Sequence, residues 1–110
     1  MLFTSGQHRG PAPAEIAYAA TKGALHQITA TLADALADRD ITVNCVNPGS
    51  TDTGWAAPEQ GAFVARHMSR GRWNTPAEAA DVVALLLSPQ AATITGQVLD
   101  AEGGFRRFTP

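Results

Sequence analysis

The sequence predicts an α/β fold, a parallel sheet covered by helices, on two observations. Short apolar or β-branched runs at residues 1–4, 41–46 and 96–100 alternate with helical patterns at 14–38 and 75–87. That order is how parallel strands are joined by crossover helices. Within 14–38 the apolar residues recur at spacings of three and four, whereas 41–46 clusters β-branched residues, so the helical and extended patterns are separately legible.

Taken in order, residues 1–4 lead into Ser5-Gly6 with no preceding turn or cap and read as a strand cut from something longer. Residues 6–13 have the Gly and Pro content of a loop. The helix predicted over 14–38 is rich in alanine, the best helix former, and its expected buried face is Ala17, Ala24, Leu25, Ile28, Leu32, Ala35 and Leu36. Ile41, Thr42, Val43 and Val46 mark a second strand, stopped by Asn47-Pro48-Gly49. A polar loop at 50–57 precedes a short helix at 59–68. Thr75 then offers an N-cap, Pro76 a first helical position and Glu78 the partner of a capping box, opening a helix to about Leu87 that Ser88-Pro89 closes. Val98-Leu99 forms the last strand, before Gly103-Gly104 and a polar tail. Three parallel strands leave an edge open, so further strands or a partner chain are expected to cover it.

Composition excludes several classes. A chain of 110 residues fits a single domain. Its 45% hydrophobic and 16% charged content points to a soluble globular chain rather than a disordered one. A net charge of −2, with the basic cluster Arg66, Arg70 and Arg72 too sparse to count, gives no footprint for nucleic acid or an anionic membrane. No run reaches the roughly 18 apolar residues of a membrane span. The lone cysteine, Cys45, cannot form an internal disulfide, so a cytoplasmic location is expected and Cys45 is read as a small buried hydrophobe. His8, His26, His67 and Cys45 lack ligand spacing, and no metal site is expected.

The chemistry concentrates on Ser5, Tyr18 and Lys22. Tyr18 and Lys22, four apart on the long helix, share a face. A lysine ammonium near a phenol stabilises the phenolate and fits it for proton transfer near neutral pH. Ser5 ends the first strand and Pro48-Gly49 the second, at the edge where open α/β sheets place their ligands. A hydroxyl there could bond a substrate carbonyl while the phenol moves the proton, which is carbonyl/alcohol redox chemistry. Singly, a Tyr and Lys four apart are most often a solvated face, and Ser-Gly or Asn-Pro-Gly after a strand is most often a turn.

Their joint order makes the resemblance. FTSG, YAATKGAL, ITVNCVNPGSTDT and ITGQVLDAEGG resemble the serine strand, YxxxK helix, VNPG turn and closing segment of the short-chain dehydrogenase/reductase family, and most of all its bacterial 3-oxoacyl-carrier-protein-reductase-like members. The resemblance implies the C-terminal portion of a Rossmann-like doubly wound sheet, residues 1–110 forming one partial domain. It implies Tyr18 as acid/base, Lys22 as its tuner and a binder of the nicotinamide ribose, and Ser5 as the group orienting the carbonyl. Pro48, Gly49, Thr51 and Thr53 match the turn at the nicotinamide end of NAD or NADP. Residues 50–68 match the substrate lid, with Trp55 and Phe63 as candidate pocket walls. The family's GxxxGxG turn, its NAG segment and its catalytic asparagine have no counterpart in the sequence, so the N-terminal dinucleotide-binding half is expected to be absent and tight cofactor binding by this chain alone is not expected. Two readings follow: a catalytic half that pairs with a missing N-terminal half or forms a homo-oligomer, or an inactive remnant that self-associates.

Overall fold

The computed structural model describes residues 1–108. Strands β1 (Leu2–Phe3), β2 (Cys45–Asn47) and β3 (Val98–Asp100) form one parallel sheet in the order β1-β2-β3. Leu2 lies opposite Cys45 and Phe3 opposite Val46, while Cys45, Val46 and Asn47 face Val98, Leu99 and Asp100. Helix α1 (Ile16–Leu36) connects β1 to β2, and α2 (Pro58–His67) and α3 (Pro76–Leu87) lie between β2 and β3. The predicted alternation is therefore the observed one, with each strand beside its sequence neighbour.

The core is centred on β2, whose three residues are 0% exposed. Val43, Ala33, Thr29, Leu86, Ala91 and Met68 close around it. Cys45 packs there as a small apolar group, and burial pushes its thiol up from the ordinary value.

Two expectations are corrected. The inward face of the helix overlaps the predicted one only in part: Leu25, Leu32 and Leu36 are half-buried as expected, but the fully buried residues are Thr29 and Ala33, and Ala17, Ala24, Ile28 and Ala35 are exposed. The reason is close approach. A Cβ built on Gly96 would sit only 3.5 Å from the Ala33 Cβ, so small residues occupy the contact. Thr29 enters it by donating its hydroxyl to the Leu25 carbonyl, 2.8 Å. The second strand also begins later than its β-branched run and continues through Asn47. The backbone at 43–44 still bonds both neighbours, through Leu2 N–H to Asn44 O and Gly96 N–H to Val43 O. Asn47 belongs to the strand because it pairs with Asp100 and its carbonyl accepts from Ala101 N–H, while its buried side-chain amide donates to Asp100 at the end of β3 and to Glu102 beyond it.

The third helix starts as its sequence dictates. Glu78 N–H donates to Thr75 Oγ1 and Thr75 N–H to Glu78 Oε2, completing the capping box. Hydrogen bonds from Arg72 and from the Thr75 backbone lower the Glu78 carboxyl to about 2, so the cap stays ionised through the physiological range. Among the described residues no helix is long and apolar enough to cross a membrane.

Replacing Thr75 by Ala is expected to lower unfolding free energy by about 1 kcal/mol, the usual value of an N-cap. Urea unfolding monitored by circular dichroism checks this, and an unchanged midpoint would mean the box contributes nothing.

Candidate active site

The carboxyl ends of β1 and β2 open onto a cleft of about 650 Å³. Ser5, just past β1, and Tyr18, on the first turn of α1, both line it. The turn after β2 contributes Pro48, Gly49, Thr51 and Thr53, and the following segment contributes Trp55 and Phe63. Glu102, Phe105 and Arg107 close it from the chain beyond β3. Lys22 is not a wall of the cleft, but its Nζ lies 5.8 Å from the centroid of the Tyr18 ring, within reach of a cation–π interaction.

Local hydrogen bonds fix these positions. Thr4 donates its hydroxyl to the Lys22 carbonyl, 3.1 Å, which ties α1 to the tip of β1 beside Ser5. Gln7 bridges the same corner, donating Nε2–H to Thr4 Oγ1 at 2.8 Å and accepting from the Ser5 hydroxyl at 2.5 Å. A substrate carbonyl would therefore compete with Gln7 for the Ser5 proton.

The turn after β2 is built by two asparagines. Gly49 has a φ of 69°, and a Cβ there would stand 2.6 Å from the Glu102 Cα, so only glycine fits. Its N–H donates to Asn47 Oδ1 at 3.1 Å. Asn74, 3% exposed, donates Nδ2–H to the carbonyls of Pro48 (3.0 Å) and Ala101 (3.3 Å) and accepts from Arg70 at 2.5 Å. Its backbone joins Ser50 and Asp52 in a short parallel bridge. One side chain thus clamps the cleft floor to the segment after β3.

Beneath the cleft runs a paired charge network. Asn47 Nδ2–H donates to Asp100 Oδ1 and Glu102 Oε1, at 2.9 and 2.8 Å. Arg107 grips Glu102 with two bonds of 2.6 and 2.5 Å, and His8 and Arg9 meet Asp100 at 2.9 and 3.0 Å. Burial raises the Glu102 carboxyl, but hydrogen bonds from Arg107 and Asn47 and the Arg107 charge outweigh it and hold it below the ordinary range.

Sequence reasoning identified neither Gln7 and Asn74 nor the Glu102–Arg107 pair. Asn74, immediately before the capping box, carries no motif of its own, and Glu102 meets Asn47 across 55 positions of sequence. The acidic residue beside the glycine pair was the one available signal.

Strand order, covering helices and a cleft at the strands' carboxyl ends define an open parallel α/β domain. Residues 1–106 match the family model described as enoyl-(acyl carrier protein) reductase. The uncharacterized oxidoreductase YjdA of Bacillus subtilis (strain 168) is 50% identical over 105 residues, covering 96% of this chain and 42% of that protein. The 3-oxoacyl-[acyl-carrier-protein] reductase FabG of Rickettsia bellii is 39% identical over 95 residues, 84% of this chain and 39% of that protein. Among solved structures, the angucycline C-6 ketoreductase LanV with bound NADP superposes with a TM-score of 0.86 at 43% identity, over 93% of this chain and 41% of that one. The reductase LugOII superposes at 0.84 and 42% identity, over 93% and 42%. The chain belongs to the short-chain dehydrogenase/reductase family and spans about two fifths of the length of the relatives it matches. Its sheet is a part of their Rossmann fold.

The folded Glu102 carboxyl titrates below its ordinary 4.5. Its contribution to stability is complete above that value and is lost as pH falls through the lower, folded one. Thermal melts between pH 7 and pH 3 are expected to show a steeper loss of Tm below about pH 4.5 for the native chain than for Glu102→Gln. Parallel curves would remove the pair from the acid response.

Proposed function

We propose that this chain carries the catalytic half of an NAD(P)-dependent oxidoreductase that interconverts a carbonyl compound and an alcohol. The observation that carries the proposal is the placement of Ser5 and Tyr18 on one cleft, with the Lys22 ammonium against the Tyr18 ring. In the reductive direction the Tyr18 hydroxyl gives its proton to the carbonyl oxygen, and the adjacent ammonium stabilises the phenolate that remains. Ser5 orients that oxygen, exchanging its bond to Gln7 for one to the substrate. Bound nicotinamide supplies or accepts the hydride at the carbonyl carbon.

The residues present suit one end of such a cofactor. Hydroxyl and ammonium donors at Tyr18 and Lys22 match a ribose diol, and Pro48, Gly49, Thr51 and Thr53 present a polar turn to the cleft. The sequence has no glycine-rich turn for a pyrophosphate, so we assign that end to the part of the relatives that this chain does not span. The choice between NAD and NADP goes with it, although LanV was solved with NADP and a Brucella melitensis reductase with NAD. The unpaired outer side of β1 and the exposed Ile16 and Ile28 support assembly with a second half or a second copy. One buried cysteine suits a reducing cytoplasm.

Titration of NADH and NADPH into the purified chain, read by cofactor fluorescence, is expected to show weak saturation in the millimolar range. Tyr18→Phe, which removes one ribose donor and leaves Lys22 in place, should weaken that binding far less than it lowers ketone reduction, which should fall about 10²- to 10⁴-fold, the usual worth of a positioned acid. No fluorescence change at millimolar cofactor would overturn the reading for this chain. Light scattering is expected to return a dimer or larger species, and a well-folded monomer would remove the assembly.

A further inference from the structure

The cleft walls outside the Ser5–Tyr18 corner are aromatic. Trp55 is 60% exposed and Phe63 50% exposed, and with the half-buried Phe105 they line the same space as Tyr18. Exposed rings of this size on one concave surface mark a binding site. Each ring is also braced from behind. Trp55 packs edge-on against Trp73 at 5.7 Å and 72°, and Trp73 is pinned by its Nε1–H to the Gly61 carbonyl, 2.9 Å, on α2. Phe63 lies 4.2 Å from the His67 ring, which itself bonds back to the Phe63 carbonyl and reaches Phe105 at 5.9 Å. Arg107 stands 5.3 Å over the Phe105 ring.

Charge narrows the occupant further. Arg107 is the one cation among the described residues lining the cleft, and both its bonding arms are taken by Glu102. Glu15 adds a second carboxylate to the wall. An anionic substrate would meet two carboxylates against one committed guanidinium, with no fork left to receive it.

We infer that the cleft is built for a neutral ketone carrying a flat aromatic ring system, which Trp55, Phe63 and Phe105 hold by ring contact while its carbonyl meets Ser5 and Tyr18. This rests on the oxidoreductase reading above. Fixed rings favour a rigid planar substrate, because offset and edge contacts add to area burial only when both partners keep their orientation. A flexible acyl chain gains area alone and gives up rotamer freedom on binding.

The test uses three carbonyl compounds of matched size: 1-tetralone, neutral and aromatic; 2-decanone, neutral and aliphatic; and 4-oxodecanoate, anionic. Binding to the full chain, with and without NADPH, is read by ligand-detected NMR, and reduction by NADPH absorbance. Tetralone is expected to bind tightest. Trp55→Leu and Phe63→Leu, apolar but not aromatic, should each weaken it about threefold to tenfold and move 2-decanone less than about twofold, while Trp55→Phe restores most of the loss. Both side chains are half or more exposed, so these variants should fold. Equal binding of the three compounds, no binding of tetralone, or an equal loss on all three in the leucine variants would overturn the inference. NADPH consumed as fast with 2-decanone or 4-oxodecanoate would also overturn it, leaving the oxidoreductase reading intact. Tetralone binding through Trp55 without NADPH turnover would uphold it and remove the redox reading from this chain.

Discussion

The structure hangs on the hydrogen bonds made by Asn47 at the tip of the central strand. Its side chain is 0% exposed, yet it donates to Asp100 and Glu102 and accepts from Gly49 N–H. A buried amide with that many partners is stabilising only while all of them stay in place. It therefore fixes three things together: where β2 ends, how the chain leaves β3, and the left-handed backbone of Gly49 that turns the next segment across the cleft. Replacement by a small apolar residue would leave Glu102 to Arg107 and Asp100 to His8, Arg9 and solvent, and would take from the Gly49 N–H its acceptor.

The site inherits its geometry from that tip and from one further tether. Thr4 ties the Lys22 carbonyl to the end of β1, which holds the helix carrying the phenol beside the segment carrying the serine hydroxyl. The two bonds that Asn74 donates do the same for the turn and the segment after β3. Sites on rigid elements hold their reacting groups more closely than sites on loops. Here loop residues gain that rigidity through side-chain amides. Gln7 is the exception, because its bond to Ser5 is one that a substrate must displace.

Much of this was legible in the sequence, and the parts that were not share a cause. The alternation of elements, the capping box at Thr75 and Glu78, and the strand-tip positions of Ser5 and Pro48 follow from neighbours in sequence, so local pattern suffices. The buried face of α1 was misread in part because alanine occupies several faces of that helix. Leu25, Leu32 and Leu36 do turn inward, but alanine periodicity does not tell one face from another, and the closest contact with the sheet falls on Ala33 and Thr29. Asn74 and the Glu102–Arg107 pair escaped because their partners lie on other elements. The Tyr18–Lys22 spacing was readable as a shared helical face, but it shows only that the two can meet. That Tyr18 shares a cleft with Ser5, with the Lys22 Nζ 5.8 Å from its ring centroid, is a tertiary fact.

The same geometry bears on how the sheet is completed. Parallel strands form stable sheets when both faces and both edges are covered. Here β2 alone has a neighbour on each side, and the helix that crosses over it turns Ile16, Ala24 and Ile28 outward. At the far edge Leu85 and Leu99 flank an apolar hollow beside β3. Apolar surface at a sheet edge and along a helix face is the pattern of contact surfaces. The Thr4 hydroxyl, bonded to the Lys22 carbonyl, joins that helix to the open strand one residue before Ser5, so the apolar helix face and the catalytic corner share one hydrogen-bonded junction.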